Sequence, residues 1–433
     1  MPKIQKSFKE QNNLAQKTNK KYKKCVVLFF IENKDLQMKY KNIFLLIIMS
    51  LTVNSIYGQE NNNMKSIEKI ISSVKKEFAP DKRTAIFDIQ IENTKNKIIL
   101  SGETTEKNAL SILNKKIKEA GLKVEQSVNV LPDTSLGVNH YGIINLSVGN
   151  IRSKPAHSAE LATQTLLGTC VNVFKENDAW YLIQTPDKYI SWLDEDALVI
   201  VDKNKMDEWK NSDKIIYTKP YGQVYSKANS NSARVSDIVI GDILKDTGEE
   251  NNFINVEFPD GRKGFIEKER CKNYSDWVND TLLTGENIVA TAKEYLGLPY
   301  LWGGTSAKAF DCSGFTKTVY FMNGVILPRD ASQQVLVGEL VDTSENFSKL
   351  QKGDLLFFGR KKTDTEKEKV THVAIYIGDG KYIHAAGRVK INSLQKNSNE
   401  FSEYRYNTFI RAKRYIGKYN KGENLVKNNP FYK

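Results

Sequence analysis

The feature that most constrains this chain is an internal repeat with a period of 73 residues. When the sequence is shifted by this distance, residues 164–198 fall on residues 237–271 without a gap, so that glycines, Pro-Asp pairs and aromatic residues coincide. Short apolar runs separated by Gly, Asp and Pro turns are typical of small β-barrels. The repeat therefore predicts two such barrels in tandem, at residues 139–201 and 213–273.

The register of the repeat also predicts where two of the cysteines lie. Cys170 falls opposite Ile243 and Cys271 falls opposite Leu198, so each thiol occupies a position that is apolar in the other copy. We expect both side chains to pack in barrel interiors; a disulfide between them is the alternative. Cys312 is then the candidate for a free, reactive thiol.

The net charge of +13 is concentrated at the amino end. Residues 1–58 contain eleven lysines against three acidic residues, a net of +8, which leaves 13 − 8 = +5 for the remainder. No basic stripe interleaved with aromatic residues stands out in that remainder, as a nucleic-acid surface would require. The mild charge fits attraction to an anionic polymer better, and we expect no nucleic-acid partner.

A secretory signal peptide is predicted at residues 38–58. Two lysines precede an apolar run at residues 43–53, and a small residue, Gly58, closes the segment. The run of eleven is too short for a bilayer span, which needs about 20 apolar residues. We expect translation to start at Met38, residues 1–37 being an over-extended gene start; an unusually long leading region is the alternative. The protein is then exported to the periplasm or cell surface and meets the membrane only during export.

Residues 64–133 alternate between helical and strand patterns. Stretches with an apolar period of two flank the helical stretch ALSILNKKIKEAGL, which stops at Gly121. This small α+β module weakly resembles the periplasmic BON-type domains. None of its residues suggests chemistry, and an adhesion or spacer role is expected.

Residues 282–418 follow a different pattern, with helices first and strands after. A helix over Glu286–Leu296 stops at Gly297, the loop YLWGGT follows, and the sequence DCSGFT then begins a second helix. Asp311 and Ser313 are suited to a helix start, and the exposed N–H groups there favour a thiolate on Cys312. We therefore predict a lowered pKa for this thiol. The last residues, 419–433, form a tail.

Two histidines lie on a predicted hairpin downstream of Cys312. His372 and His384 flank the turn sequence Gly-Asp-Gly in VTHVAIYIGDGKYIHAA. A three-residue loop pairs Ile377 with Lys381 and leaves both histidines on one face, whereas a two-residue loop separates them. If both serve one site, the loop has three residues. A thiol with two imidazoles indicates nucleophilic catalysis, with His372 as base and His384 orienting its ring. A metal site is disfavoured because no carboxylate cluster accompanies them.

The motifs LPYLWGGTSAKAFDCSGFT, LPRDASQQ, LQKGDLLFF, THVAIYIGDGKYIHAA and INSL resemble those of the NlpC-type cell-wall cysteine peptidases. The resemblance implies a papain-like α+β domain that needs no cofactor and cleaves the γ-D-glutamyl to diamino-acid bond of peptidoglycan stem peptides. Tyr300 and the backbone N–H of Cys312 are implied to frame the oxyanion; a Tyr300 that only packs under Trp302 is the alternative. The whole chain is thus expected to be an α+β multidomain protein.

The opening of the first barrel, VGNIRSKPAHSAELAT, resembles the bacterial SH3-like domains of cell-wall enzymes, in which this barrel leans over the catalytic cleft. The second barrel lacks the RSKP opening and is expected to be a spacer or wall-binding module. Relatives that recycle wall peptides bind a free N-terminal L-Ala, which implies carboxylates at that end of the cleft. The predicted substrate-binding residues are Asp330, Ser313, Asp311, Trp302, Glu160 and Tyr189.

Two other functions stay open on the sequence. The protein could hydrolyse intact peptidoglycan, with the barrels gripping the polymer, or it could be a wall-binding protein with a degenerate peptidase domain. The presence of Cys312, His372 and His384 argues against the second alternative. The expected partners are peptidoglycan stem peptides or muropeptides, and the sequence leaves the oligomeric state open.

Overall fold

The computed structural model describes residues 62–94 and 97–433, together with positions 41, 44, 45 and 49. The predicted signal peptide, apart from those four positions, and residues 1–37 with Cys25 lie outside the described residues. Within the described part of the chain, no helix has the length and apolar character needed to cross a membrane. The chain forms two compact units, of which the smaller comprises, among the described residues, those up to 73 together with 91–94, 97–99 and 112–125. The larger comprises residues 74–90, 100–111 and 126–433.

The predicted amino-terminal module has the expected order of elements. A helix at residues 62–78 is followed by two strands, a helix and a third strand, and the three strands form one sheet in the order β1-β2-β3. Residues from 74 to 90 nonetheless belong to the larger unit, because the loop after the first helix bonds to other parts of that unit. The remaining elements are β1 (Phe87–Thr94), β2 (Lys97–Thr104), the helix Lys107–Glu119 and β3 (Glu125–Val130).

The two barrels follow the repeat strand for strand. Each strand of the second barrel begins 73 residues after its counterpart in the first. The sheet orders are equivalent too, β10-β4-β7-β8-β9-β5-β6 and β17-β11-β14-β15-β16-β12-β13. The first barrel consists of β4 (Tyr141–Ile144), β5 (Val148–Arg152), β6 (Leu161–Leu166), β7 (Cys170–Asn177), β8 (Trp180–Gln184), β9 (Ile190–Asp194) and β10 (Leu198–Val201). The second consists of β11 (Lys214–Tyr217), β12 (Tyr221–Tyr225), β13 (Arg234–Val239), β14 (Ile243–Glu250), β15 (Phe253–Glu257), β16 (Lys263–Glu267) and β17 (Cys271–Asn273).

The repeated glycine before β7 and β14 marks where the barrels meet. Gly168 and Gly241 both have positive φ, +78° and +91°. A Cβ on Gly168 would lie 2.1 Å from the carbonyl oxygen of Ile243, so only glycine allows this approach of the two backbones. Cys170 is buried, Cys271 is partly buried, and both are free thiols whose pKa burial raises to about 12.

The peptidase domain packs helices against a six-stranded antiparallel sheet. The helix Lys203–Asn211 joins the barrels, and Tyr274–Asp280 leads into the domain. The sheet order is β20-β25-β21-β22-β23-β24. Its helices are Gly285–Lys293, Cys312–Met322, Ala331–Gln334 and Glu403–Thr408. Its strands are a short pair, β18 (Thr305–Ser306) and β19 (Ala309–Phe310), then β20 (Glu339–Val341), β21 (Leu355–Arg360), β22 (Lys369–Gly378), β23 (Lys381–Ala386), β24 (Arg388–Ser393) and β25 (Phe409–Arg414).

A single apolar core joins this domain to both barrels. Val148 of the first barrel and Val239 and Ile240 of the second are buried in the same cluster as the helix Cys312–Met322. Apolar area removed from water is the main stabilising contribution in such an interface. The fold is the α+β multidomain class expected from the sequence.

The hairpin that carries the histidines differs from the prediction in its turn. Gly378 pairs with Lys381, so the loop has two residues, Asp379 and Gly380, and the predicted pairing of Ile377 with Lys381 is wrong. The register shifts between Tyr376 and Gly378, where Ile377 forms a bulge. The extra residue compensates for the shorter loop, because a bulge adds one residue to one strand only. Both histidines therefore still point to the same side of the sheet.

Candidate active site

Cys312 is the first residue of the helix Cys312–Met322, as the sequence predicts. Asp311 is the N-cap and accepts the N–H of Gly314 at 2.7 Å. The backbone N–H groups of Val373, in β22, and of Ser313 are hydrogen-bonded to the thiol and lower its pKa. The bond from Val373 places the sulfur beside the residue that follows His372.

The predicted lowering of the thiol pKa is wrong. Burial, followed by the neighbouring Asp311 carboxylate, raises the pKa of Cys312 to about 11. Arg329 and the two N–H groups oppose these effects only in part. A buried sulfur loses the hydration that stabilises a thiolate, and the N-cap carboxylate opposes the helix dipole. At neutral pH the resting group is therefore the thiol.

The two histidines form a directed hydrogen-bonded chain. Nε2 of His372 lies 2.7 Å from Nδ1 of His384, and Nε2 of His384 lies 2.9 Å from Oδ1 of Asn392. Asn392 in turn donates from Nδ2 to the carbonyl oxygen of Glu400 at 2.8 Å. Because that carbonyl can only accept, Oδ1 of Asn392 faces His384 and fixes the proton of His384 on Nε2. His372 then donates from Nε2, which leaves its Nδ1 as a free acceptor.

Burial keeps both imidazoles neutral. It lowers the pKa of His372 well below 6.5, with smaller contributions from His384, Arg405 and Lys390. The pKa of His384 falls to about 4, mainly through burial, although the bond to Asn392 opposes the shift. A neutral imidazole with an open Nδ1 can accept a proton from a thiol, which is the requirement for a general base.

Asn392 is a member of this chain that sequence reasoning missed. It lies in β24, where Tyr382 is its partner across the strand pair and His384 pairs with Lys390. Asn392 is part of the motif INSL, but its position beside His384 depends on the register between β23 and β24. A polar residue in a buried strand was the available signal.

Arg329 is a second residue that sequence reasoning missed, and it anchors the start of the helix Cys312–Met322. The side chain is fully buried and its Nη2 donates to Asp311 at 2.6 Å. Its Nη1 donates to Ser313 at 3.0 Å, and its Nε donates to the hydroxyl of Thr163 in the first barrel at 2.7 Å. Asp311 and Ser313 thus have buried polar groups engaged in this network, which gives both an anchoring role. Their predicted contact with substrate stays a prediction.

Tyr300 lies near the nucleophile. It is partly buried and its backbone N–H donates to the carbonyl of Gly387 at 3.0 Å. Burial raises the pKa of its hydroxyl to about 12, and the nearby Cys312 and Asp311 add to the shift. The phenol therefore keeps its proton and can donate a hydrogen bond, as the oxyanion role requires; the role itself stays a prediction.

The first barrel contacts the loop that precedes Cys312. Gln164 holds Thr305 and Ser306 through its side chain at 2.9 and 3.0 Å, and all three residues are buried. Trp302, which is exposed, donates from Nε1 to the Glu160 carboxylate at 2.7 Å. The structure therefore brings Glu160 to the edge of the site, as expected for a barrel that leans over a cleft.

Asp330 and Tyr189 lie close enough for the Asp330 charge to act on the Tyr189 hydroxyl. The pKa of Tyr189 is raised to about 12, first by burial and then by the Asp330 charge. Burial also raises the pKa of Asp330, although Arg329 and Arg83 oppose the shift. Asp330 does not stand free, because Nη1 of Arg83 donates to its Oδ2 at 2.8 Å. This contact with the amino-terminal segment was not foreseen.

The fold and the buried Cys-His-His-Asn arrangement define a papain-like cysteine hydrolase. Residues 297–411 match the NlpC/P60 family, and residues 151–198 match the bacterial dipeptidyl-peptidase SH3 domain. The chain belongs to the NlpC/P60 family and is a cysteine peptidase.

Named relatives match about half of the chain. A gamma-D-glutamyl-L-lysine dipeptidyl-peptidase of Bacillus cereus is 33% identical over 234 residues, which cover 52% of this chain and 67% of that protein. The enzyme of the same name from Bacillus subtilis is 31% identical over 235 residues, 52% of this chain and 72% of that protein. The crystal structure of an NlpC/P60 family protein from Bacillus cereus superimposes with a TM-score of 0.55 at 27% identity and covers 64% of this chain and 99% of that chain.

Proposed function

We propose that this peptidase cleaves the γ-D-glutamyl to diamino-acid bond of peptidoglycan stem peptides that carry a free N-terminal L-Ala. The relatives named gamma-D-glutamyl-L-lysine dipeptidyl-peptidase support the bond type. The observation that carries the proposal is the contact of Glu160 with Trp302 at 2.7 Å, which brings a barrel carboxylate to the loop before the nucleophile. A carboxylate there suits a substrate with an ammonium at its end.

Cys312 is the proposed nucleophile and His372 the proposed base. Because the pKa of the thiol is raised and that of His372 is lowered, the resting pair is neutral. Nδ1 of His372 takes the thiol proton as the sulfur forms its bond to the γ-carbonyl carbon of the D-glutamyl residue. This coupled transfer avoids building a full thiolate inside the protein.

The developing oxyanion is stabilised by two donors. Cys312 is the first helical residue, so its backbone N–H has no acceptor within the helix. The hydroxyl of Tyr300 is the second donor. Fixed donors aimed at a developing charge are worth about 3–4 kcal/mol each.

The remaining steps follow acyl-transfer chemistry. The imidazolium of His372 returns its proton to the nitrogen of the diamino acid, the C–N bond breaks, and the acyl group stays on sulfur as a thioester. His372, neutral again, then takes a proton from water, whose oxygen attacks the thioester carbonyl. Collapse of this intermediate releases the carboxylate and the thiol. His384 keeps the His372 ring oriented through the bond of 2.7 Å.

Recognition of the amino end is assigned to the two edge carboxylates. Asp330 and Glu160 would bind the ammonium of L-Ala, and Tyr189 would line that end of the cleft. Attachment to glycan would remove the ammonium, and with it the charge-assisted hydrogen bonds to these carboxylates. The substrate would then be a released peptide rather than intact wall.

Hydrolysis of intact peptidoglycan is the second candidate, and one observation favours it. Asp330 already has a cationic partner in Arg83 at 2.8 Å. Because Arg83 already pairs with Asp330, this end of the cleft does not require a substrate with a free ammonium. A purely wall-binding function is disfavoured by the family assignment as a cysteine peptidase.

The test compares two substrates under the same conditions. Protein lacking residues 1–58 is incubated with the tripeptide L-Ala-γ-D-Glu-diaminopimelate and, separately, with intact sacculi, and the products are separated by mass. We expect dipeptide release from the tripeptide only, and none from a Cys312→Ala variant. Cleavage of sacculi alone would contradict the free-peptide proposal.

We also propose that the protein is exported, on the strength of the apolar run at residues 43–53 behind two lysines. Export would deliver the peptidase to the periplasm or cell surface, where peptidoglycan peptides occur. Amino-terminal sequencing of the mature protein from the producing cell should give Gln59 as the first residue. A mature protein that begins before Gln59 would contradict the predicted cleavage of a signal peptide after Gly58.

A further inference from the structure

A short segment of the amino-terminal region lies across the junction between the first barrel and the peptidase domain. The segment is Asp81–Arg83, between the helix at 62–78 and β1. Its backbone is held by the barrel, because Ile190 donates its N–H to the carbonyl of Arg83 at 2.7 Å. Its side chains are held by the peptidase domain, because Gln333 donates from Nε2 to Asp81 at 2.9 Å. The segment therefore has a defined position on the larger unit.

The guanidinium of Arg83 is fully engaged there. Its Nε and Nη2 donate to Asp81 at 2.8 and 2.7 Å. Its Nη1 donates to Asp330 Oδ2 at 2.8 Å and to the hydroxyl of Ser332 at 2.9 Å. The side chains of Arg83 and Asp330 are 31% and 29% exposed, so solvent screens their ion pair only in part.

Arg83 supplies the charge that a substrate ammonium would supply. Asp330 carries one negative charge, and the other nearby cation, Arg329, has Asp311 as its close partner at 2.6 Å but lies 4.0 Å from Asp330. Arg83 thus forms the shorter of the two ion pairs of Asp330 and is the one that occupies Oδ2. An incoming ammonium would find Oδ2 occupied and would have to compete with a guanidinium that Asp81 keeps in place.

We infer that Arg83 is a specificity-determining residue that competes with the amino terminus of the peptide for Asp330. The inference rests on the proposed function of Asp330 as a binder of that amino terminus. Arg83 lowers the preference for a free amine over an acylated amino terminus without abolishing it. The amino-terminal region, for which the sequence suggested only a spacer role, therefore contributes to substrate selection.

A merely structural role for Arg83 makes a different prediction. If the residue only fastened the segment to the rest of the unit, its loss would lower stability and affect all substrates alike. If it competes for Asp330, its loss changes the ratio of two KM values, one for a free peptide and one for an acylated peptide, and leaves kcat unchanged. The ratio is independent of the amount of folded enzyme.

The experiment measures kcat and KM for L-Ala-γ-D-Glu-diaminopimelate and for its N-acetyl form. Four proteins are compared, namely the parent, Arg83→Gln, Asp330→Asn and the double variant. Arg262→Gln is the matched control, because Arg262 pairs with Asp260 two residues before it, as Arg83 does with Asp81, but it contacts the barrel residue Asn145 instead of Asp330. Thermal unfolding of each variant shows whether it is folded.

We expect Arg83→Gln to lower KM for the free peptide roughly fivefold, which corresponds to about 1 kcal/mol for a partly exposed ion pair. KM for the acetylated peptide should stay within about twofold. Arg83→Lys should lie between the parent and Arg83→Gln, because it keeps the charge but cannot donate to Asp81 and Asp330 with the fork of a guanidinium. In the Asp330→Asn background the Arg83 substitution should have no effect on the ratio.

Two outcomes would overturn the inference, and they differ. If Asp330→Asn abolishes the preference for the free peptide but Arg83→Gln leaves the ratio of KM values unchanged, the amine-binding function stands and Arg83 does not compete. If Asp330→Asn itself leaves the ratio unchanged, Asp330 does not bind the amine, and the proposed function fails together with the inference.

Discussion

Two regions of the molecule meet at the proposed cleft, and they are built in opposite ways. The catalytic chain, Cys312, His372, His384 and Asn392, lies on one helix and three adjacent strands of one domain. The recognition rim consists of Glu160, Tyr189, Trp302, Asp330 and Arg83, which come from the first barrel, the peptidase domain and the amino-terminal region.

The two regions differ in burial, and this difference determines how each can contribute to function. The thiol and the two imidazoles of the catalytic chain are buried and neutral at pH 7, so their hydrogen bonds are strong and directional. The charged side chains of the rim are partly or fully exposed, so each contributes little alone and can exchange partners. We therefore expect substitutions in the catalytic chain to act on kcat and those in the rim to act on KM.

The largest effect is expected from His372→Ala. Loss of the proposed base should lower kcat by about 10³-fold, within the range for general acid-base catalysis, and leave KM within about twofold. Steady-state kinetics on the tripeptide checks both values. His157→Ala is the control, because this histidine of the first barrel is 82% exposed at the side chain. An increase in KM at unchanged kcat would contradict the expectation that the catalytic chain acts on kcat and the rim acts on KM.

Arg329→Met tests the residue that links the two regions. The pair with Asp311 has side-chain exposures of 1% and 10%, and its loss should lower the free energy of unfolding by about 3–5 kcal/mol because the Asp311 charge would stay buried without a cationic partner. Urea unfolding measures the change. Arg360→Met is the control, because its pair with Glu366 is 49% exposed on both sides and should contribute less than about 1 kcal/mol. Equal losses for both variants would mean that burial does not set the difference between the regions.

The next prediction concerns the pH profile of kcat/KM, for which we expect a change of tenfold or less. His372 acts as a base only when neutral, and because its folded pKa lies well below 6.5, the imidazole stays competent as the pH falls through 6.5. The acid limb of kcat/KM should therefore have its midpoint below pH 6.5. A profile of kcat/KM between pH 4 and pH 9 checks this. A midpoint above 6.5 would indicate a thiolate-imidazolium pair and contradict the neutral resting state.

The same contrast explains what the sequence could predict. Cys312, His372 and His384 lie in short motifs of one domain, and strand alternation together with the register of the hairpin places the two histidines on one face. The loop of the hairpin was predicted with one residue too many, because a bulge at Ile377 and a shorter loop give the same register. The barrels were predictable for a similar reason, since the repeat fixes the strand spacing.

Residues whose role depends on contacts between distant segments could not be predicted from the sequence. Arg329 depends on contact with Thr163, and Arg83 depends on contact with Asp330, 247 positions along the chain. The thiol pKa was predicted with the wrong sign, because a helix start is visible in DCSGF whereas the burial of the sulfur is not. Pairings between distant segments and desolvation are properties of the packed molecule.

The smallest effect is expected from Glu160→Gln, which tests the rim alone. A glutamine can still accept the Trp302 hydrogen bond, so the substitution removes the charge and keeps the contact. KM for the free tripeptide should rise about threefold, because an exposed carboxylate contributes less than about 1 kcal/mol to binding an ammonium. The N-acetyl peptide should show no change, and Glu195→Gln, which alters another exposed glutamate of the first barrel, should affect neither. If KM changed equally for both peptides, Glu160 would shape the cleft without binding the amine, and recognition of the ammonium would be left to Asp330.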